Sequence, residues 1–173
     1  MRDLILKMSL SIDGFVSDLE GTNKWMFGSD QESRAWAVEI TWNASLHIMG
    51  SRRFLAMAAF WPTSTLEFAP PMNQIPKAVF PRQGPAILRN VNTTAALNGA
   101  RANAGTGQSA EPQPGAGSWA EAYLVDQFVL GVHPVALGKG LPLFSELAAP
   151  RRFELVSSKA FPGGAVAQIY RPA

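Results

Sequence analysis

Apolar and polar positions follow two rhythms along this 173-residue chain. Residues 4–10 form an apolar run interrupted by Lys7 and closed by the turn signal Asp13-Gly14. That pattern predicts a buried strand. Ala35, Val38, Trp42 and Leu46 recur at helical spacing behind Ser29-Asp30 and Glu32. Ser29 suits the helix cap, and the acids favour the positive end of the helix. Residues 46–49 read as a short strand ending at Gly50, and a second helix runs from near Ser51 toward Phe60. Trp61-Pro62 stops it, because proline disfavours helix in the residue before it. Pro70-Pro71 marks a loop, and residues 78–80 and 86–88 read as short strands. Residues 124–137 read as one long apolar strand. Residues 153–156 and 165–170 form an antiparallel pair joined through Pro162-Gly163-Gly164. Strands alternate with helices early and gather at the end. The prediction is an α/β fold with a mixed sheet, parallel early and antiparallel at the C-terminal edge.

One stretch breaks both rhythms. Residues 98–118 contain no Val, Ile, Leu, Met, Phe, Trp or Tyr. Such a segment buries too little apolar area to offset its ordering entropy. It is read as a disordered or aberrant loop within a single domain spanning 1–173. The rest is apolar enough for a core: 47% of residues are hydrophobic and only 16% charged.

Charge and cysteine content narrow the function classes. The net charge is +2, and the basic residues are scattered apart from the short pairs Arg52-Arg53 and Arg151-Arg152. A nucleic-acid partner normally requires a clustered basic face, so none is expected. There is no cysteine, which removes disulfides, thiolate metal sites and thiol nucleophiles. No apolar stretch approaches the ~20 residues that span a bilayer, and the first ten residues lack a signal-peptide pattern. No membrane partner is expected, and a cytoplasmic protein is. His47 and His133 are the only histidines, and neither a zinc spacing nor a Walker loop is present.

Four constellations remain as carriers of chemistry. Ser11-Ile12-Asp13-Gly14 lies just past the first strand, where open α/β sheets bind ligands. The same four residues also make a plain Asx-type turn. Ile48-Met49-Gly50-Ser51-Arg52-Arg53 runs from a strand through glycine into a helix start. There free N–H groups, the helix dipole and two guanidiniums favour phosphate, although a solvated basic turn has the same sequence. Arg82 follows a short strand, a position from which an arginine selects a 2′-phosphorylated dinucleotide; a plain surface arginine is the alternative. His133 sits before Pro134 at the end of an apolar run and reads more readily as structural than as catalytic.

The ordered set resembles the dihydrofolate-reductase-like family, in the branch of the bacterial riboflavin reductase domain. The matching residues are Ser11-Ile12-Asp13-Gly14, Trp25 with Ser29-Asp30, and Met49-Gly50-Ser51-Arg52-Arg53-Phe54. Trp61-Pro62, Met72-Asn73 with Ile75-Pro76-Lys77, and Leu124-Val125-Asp126 also match. So do His133-Pro134-Val135, Leu137-Gly138-Lys139-Gly140, Leu143-Phe144 and residues 161–170. The resemblance implies a three-layer fold with a central mixed sheet flanked by helices, and a homodimer through the C-terminal strands. It implies an NADPH-dependent reductase of a small pterin- or pyrimidine-like heterocycle.

The same resemblance places the cofactor. The nicotinamide would lie beside Ser9, Ser11 and Val16, and the pyrophosphate at Gly50, Ser51, Arg52 and Arg53. The 2′-phosphate would lie near Arg82, where Pro81 stands in place of the family's serine. The family's paired-glycine loop, which holds pyrophosphate with backbone amides, corresponds to Gly115, Gly117 and Ser118. Asp13 and Asp30 are the catalytic candidates. Asp30 lies five residues after Trp25, the spacing of the substrate carboxylate in dihydrofolate reductases. An ordinary acid at a helix start is the alternative reading of Asp30. The other function class compatible with this sequence is a non-catalytic homodimeric scaffold of the same fold.

Overall fold

A computed structural model describes residues 3–28, 30–80, 87–89, 125–144, 147 and 149–173. The expected loop at 98–118 lies outside them, as do Arg82, Gly115, Gly117 and Ser118. The described elements, in chain order, begin with β1 (Ile5–Ser11), β2 (Phe15–Ser17), α1 (Gln31–Trp42), β3 (His47–Gly50) and α2 (Ser51–Phe60). They continue with α3 (Ala69–Gln74), β4 (Lys77–Phe80), β5 (Ile87–Arg89), β6 (Gln127–His133), β7 (Leu141–Pro142), β8 (Phe153–Ala160) and β9 (Val166–Pro172). The chain forms two compact units, one from residues 1–34 with 110–173 and one from residues 35–109.

The first unit holds a four-stranded sheet in the order β1-β6-β9-β8. β1 and β6 are parallel, with Ser9 opposite Gly131 and Ser11 opposite His133. β9 runs antiparallel to β6 and to β8, as the sequence pattern predicts for the C-terminal edge. β2 and β7 pair antiparallel in a small separate ladder. Successive strand residues point to opposite faces, so β1 presents Leu6, Met8 and Leu10 to one side and Lys7, Ser9 and Ser11 to the other. The apolar side is the core. Leu10, Val125, Phe128, Leu130 and Leu143 are buried together, and Leu6, Met8, Val16, Phe153 and Tyr170 pack against them. Phe128 stacks edge-on against Phe153 at 4.9 Å between ring centroids. Side chains of this size stabilise by roughly 1.5–3 kcal/mol each when fully buried.

The second unit holds the sheet β3-β4-β5, with β3 parallel to β4 and β4 antiparallel to β5. Its core is small: Phe54 and Ala58, one turn apart on α2, are buried with Met49 and Val79 packed against them.

Four expectations need correction. Ser29 lies outside the described residues, and the cap of α1 is Asp30. Its Oδ1 accepts the N–H groups of Glu32 and Ser33, both at 3.0 Å. Pro70 and Pro71 do not mark a loop but lie in the first turn of α3, where the missing N–H is unneeded. The described part of the long strand at 124–137 is shorter, running from Gln127 to His133, because Pro134 ends the ladder. Conversely, β8 extends to Ala160, well past the 153–156 run. The alternation of large apolar residues fades after Val156, yet the backbone keeps its pairing with β9.

Candidate functional site

The face of the first sheet opposite that core cluster carries Lys7, Ser9 and His133 beside the buried Val129 where β1 meets β6. Lys7 is half-buried there, and desolvation pushes its ammonium below its ordinary pKa of 10.5. Among the described residues no carboxylate pairs with it. Ser9 follows on the same face, opposite the bare Gly131. The His133 ring packs edge-on against Trp25, with centroids 5.4 Å apart. Burial holds His133 below its ordinary pKa, and the nearby Lys7 cation adds to that effect. The imidazole is therefore neutral at physiological pH. Trp25 Nε1 is buried without a hydrogen-bond acceptor among the described residues.

The two carboxylate candidates are held in place by other groups. Asp13 reaches from the β1–β2 turn to the far side of β6, accepting the N–H of Gly138 at 2.7 Å and that of Leu137 at 3.0 Å. The Ser11 hydroxyl, then the Gly138 N–H, hold its pKa below the ordinary value. Asp30 Oδ1 caps α1, while Oδ2 accepts the N–H of Gly163 at 3.1 Å. The Ser33 N–H is the main cause of its lowered pKa. Both are firmly ionised, which suits fixed anions and not proton donors near neutrality. Ser11 is 1% exposed, and its hydroxyl accepts the Phe15 N–H at 3.0 Å, so the turn uses it. Val16 packs on the core.

Asp13, Asp18 and Asp30 all sit below the ordinary carboxylate value of 3.8, with Thr22 the main cause for Asp18. Their stabilisation is therefore present above about pH 3.8 and is lost as pH falls through the lower folded values. Melting curves from pH 6 to pH 2 should hold level and then drop below about pH 4. A melting temperature unchanged to pH 2 would contradict these bonding patterns.

Gly50, Ser51 and Arg53 belong to the second unit. Gly50 caps α2 in an extended conformation with open space where a side chain would stand. Among the described residues the helix start has no side-chain cap, and there is no acid in its first turn to compete for its N–H groups. Arg53 is exposed; Arg52 is helical, and its side chain lies outside the described residues. Further along this unit, Lys77 is 3% exposed and its Nζ donates to the Ile75 carbonyl. Burial, and then Lys77, hold His47 below its ordinary value. Among the described residues no three His, Asp or Glu side chains gather as metal ligands, and no helix is long and apolar enough to cross a membrane.

The model of the RibD C-terminal domain matches residues 2–101, more than half of the chain. The chain belongs to the RibD C-terminal domain family. This family includes the reductase of riboflavin biosynthesis. Solved structures agree on the fold, which is the dihydrofolate-reductase-like one. A putative riboflavin biosynthesis protein from Shewanella sp. PV-4 aligns over 99% of both chains with a TM-score of 0.62 at 16% identity. RibD from Acinetobacter baumannii aligns over the whole chain and 58% of its own length, with a TM-score of 0.63 at 15% identity. A pyrimidine reductase-like protein from Corynebacterium diphtheriae covers 99% of this chain with a TM-score of 0.56 at 14% identity. The uncharacterized protein YyaP of Bacillus subtilis is 40% identical over 47 residues, a match spanning 25% of its length.

Within this RibD C-terminal domain, Ser9, Ser11, Asp13, Val16 and Asp30 fall in the first unit and Gly50 to Arg53 in the second. Sequence reasoning missed Lys7, Gly131 and the contact between His133 and Trp25. Lys7 left a signal: a lysine in the middle of an apolar strand run is costly unless it has a use. Gly131 left one too, since glycine weakens a strand interior and often marks close backbone approach.

Proposed function

We propose that this RibD C-terminal domain is an NADPH-dependent reductase of a small pterin- or pyrimidine-like heterocycle. The observation that carries the reading is Lys7, a half-buried cation with no carboxylate partner among the described residues, which shares a face of the β1–β6 sheet with Ser9 and His133. The residues present fit the cofactor. Among the described residues the start of α2 has no side-chain cap and no competing acid, and nothing stands beside Gly50 where a pyrophosphate would approach. Ser51, Arg52 and Arg53 are assigned to that pyrophosphate on the family resemblance. Arg82 and the segment with Gly115, Gly117 and Ser118 are assigned to the 2′-phosphate and pyrophosphate on the family resemblance.

NADPH supplies a hydride when bound. Reduction of a C=N or C=O bond places that hydride on carbon and requires one proton on the heteroatom. Lys7 supplies the proton from Nζ. Its lowered pKa makes the ammonium a better acid, and burial favours the neutral amine left behind. Asp30 and Asp13 act as fixed anions, of which Asp30 has lone pairs to spare for an N–H of the ring. Ser9, Ser11 and Val16 are assigned to the nicotinamide on the family resemblance.

Titrating NADPH while following the melting temperature tests this reading. At ~100 times its dissociation constant the cofactor should add about 2.7 kcal/mol of stability. No shift at millimolar NADPH would favour the second reading, a non-catalytic homodimeric scaffold. That reading is supported by the structural use of Asp13 and Asp30 and by the exposure of Leu155 and Val156 on β8, a surface for pairing through the C-terminal strands. Sedimentation of the same sample separates a dimer from a monomer.

A further inference from the structure

The end of the first sheet away from Ser11 and His133 gathers a second set of charged groups. β1, β6 and β8 begin there, and β9 ends there. Among the described residues a cleft of about 710 Å³ opens at that end, lined by Asp3, Asp126, Arg151, Arg152 and Arg171. β1 is seven residues long and rises about 3.3 Å per residue, so the cleft lies roughly 20 Å from Ser11. A ligand bound in it is out of reach of Ser9 and His133, and the site stands whether or not the domain is a reductase.

The backbone sets where the guanidiniums sit. Glu154 is opposite Arg171 in the β8–β9 ladder, and the Ala173 N–H donates to the Arg152 carbonyl at 3.2 Å. Arg152 and Arg171 are therefore diagonal neighbours on one face, roughly 7–8 Å apart and within reach of one shared anion. Among the described residues neither is in an ion pair. Glu154 shares that face, but it does not line the cleft and is not within ion-pair distance of either arginine. Arg151 comes from the other face. Its guanidinium lies 5.6 Å from the centre of the Phe153 ring, which itself packs on the core residue Phe128 at 4.9 Å. Of the two acids, Asp126 already accepts the Leu4 N–H at 2.7 Å.

Three guanidiniums against two carboxylates leave the cleft positive, and a concave wall concentrates that field. Guanidiniums bind oxyanions through paired N–H groups. A phosphate monoester offers three acceptor oxygens and close to two charges near neutrality, enough for more than one arginine, whereas a carboxylate offers two oxygens and one charge. The volume exceeds what the anion alone would fill, and Pro150 and Pro172 supply an apolar wall beside it. We infer that this cleft binds the phosphate group of a small organic phosphate, clamped between Arg152 and Arg171 with Arg151 at its side.

The test titrates phenyl phosphate into isotopically labelled protein at about pH 8, where phosphate esters are dianions, with ionic strength held constant. Protein amide shifts are followed by NMR. The amides of Arg152, Phe153, Arg171 and Ala173 are expected to move together along one saturable curve. Benzoate, of the same ring and one charge, should bind at least ten-fold more weakly. Arg152→Gln combined with Arg171→Gln should weaken phenyl phosphate at least ten-fold. Both side chains are exposed, so the melting temperature of that variant should stay close to the parent's. Lys24→Gln combined with Lys139→Gln removes the same charge from exposed positions elsewhere in this unit and should leave the affinity as it was. Shifts confined to the start of α2, benzoate binding as tightly, undiminished affinity in the arginine variant, an equal loss in the lysine variant, or no saturation at millimolar phenyl phosphate each overturns the proposal.

Discussion

Lys7→Met is expected to make the protein more stable and less active at once. Burial lowers the folded pKa of Lys7 below 10.5, so at neutral pH the fold carries a charged group in a place that disfavours charge. With a depressed folded pKa, the associated stability is full only above the unfolded value and is lost as pH falls through the folded value. At pH 7 the penalty is present, and methionine of similar length removes it. A gain in stability is expected. The melting temperature should rise, by about 2–4 °C for each kcal/mol gained in a domain of this size. The same change deletes the proposed proton donor. General acid catalysis of this kind contributes roughly 10²–10⁴-fold, and turnover with NADPH should fall by that order. A Lys7→Met protein with parental turnover would rule out Lys7 as the proton source. One with a lowered melting temperature would rule out the burial penalty.

Gly140→Ala is the most damaging single substitution expected in the first unit. A β-carbon there would lie 2.2 Å from the Ser17 carbonyl oxygen and 3.1 Å from Phe15 Cβ. Ser17 and Phe15 belong to β2, and β2 is held antiparallel to β7 immediately after Gly140. The clashing atom is backbone, so relief requires the β2–β7 ladder to separate. Leu143, buried in the core, is tied to the same turn through its N–H to the Gly14 carbonyl at 3.2 Å. Overpacking against a fixed backbone typically costs about 1–3 kcal/mol, and ladder loss adds to it. A urea midpoint within error of the parent would show that the turn yields more easily than this packing allows.

Much of the fold was legible because period and punctuation agreed. The run at residues 4–10, the helix over Ala35 to Trp42 and the start of α2 at Ser51 all follow from spacing plus a stop signal. The C-terminal hairpin was legible for the same reason. Tertiary context decided the misplaced elements. Pro70 and Pro71 support a short helix because the first turn needs no proline N–H, which a loop signal does not distinguish. β8 outruns its apolar residues because pairing with β9, and not its own side chains, sustains it.

The candidate site was less legible, and for a physical reason. Asp13 and Asp30 were visible as acids in informative places. Their partners, the N–H groups of Leu137, Gly138 and Gly163, are more than 120 residues away along the chain. Periodicity cannot show such long-range bonds. The neighbourhood of Ser9 with Gly131 and His133 depends on β1 and β6 lying side by side in a given register, so Ser9 has no sequence proximity to the other two. The family resemblance supplied what local pattern did not, namely the dihydrofolate-reductase-like fold itself.

The pairing of β1 with β6 also bears on synthesis. Leu4 bonds Asp126 across 122 residues of chain, with a 2.7 Å bond to its carboxylate. At about 5–20 residues per second, β1 leaves the ribosome roughly ten seconds before its partner strand exists. For that interval an apolar segment waits with its edges open, the circumstance in which nascent chains associate wrongly. A charge in the middle of such a segment acts as a gatekeeper against aggregation. Lys7 occupies that place. The residue that lowers the stability of the finished domain therefore protects the unfinished one, and soluble yield and thermal stability should respond to its loss in opposite directions.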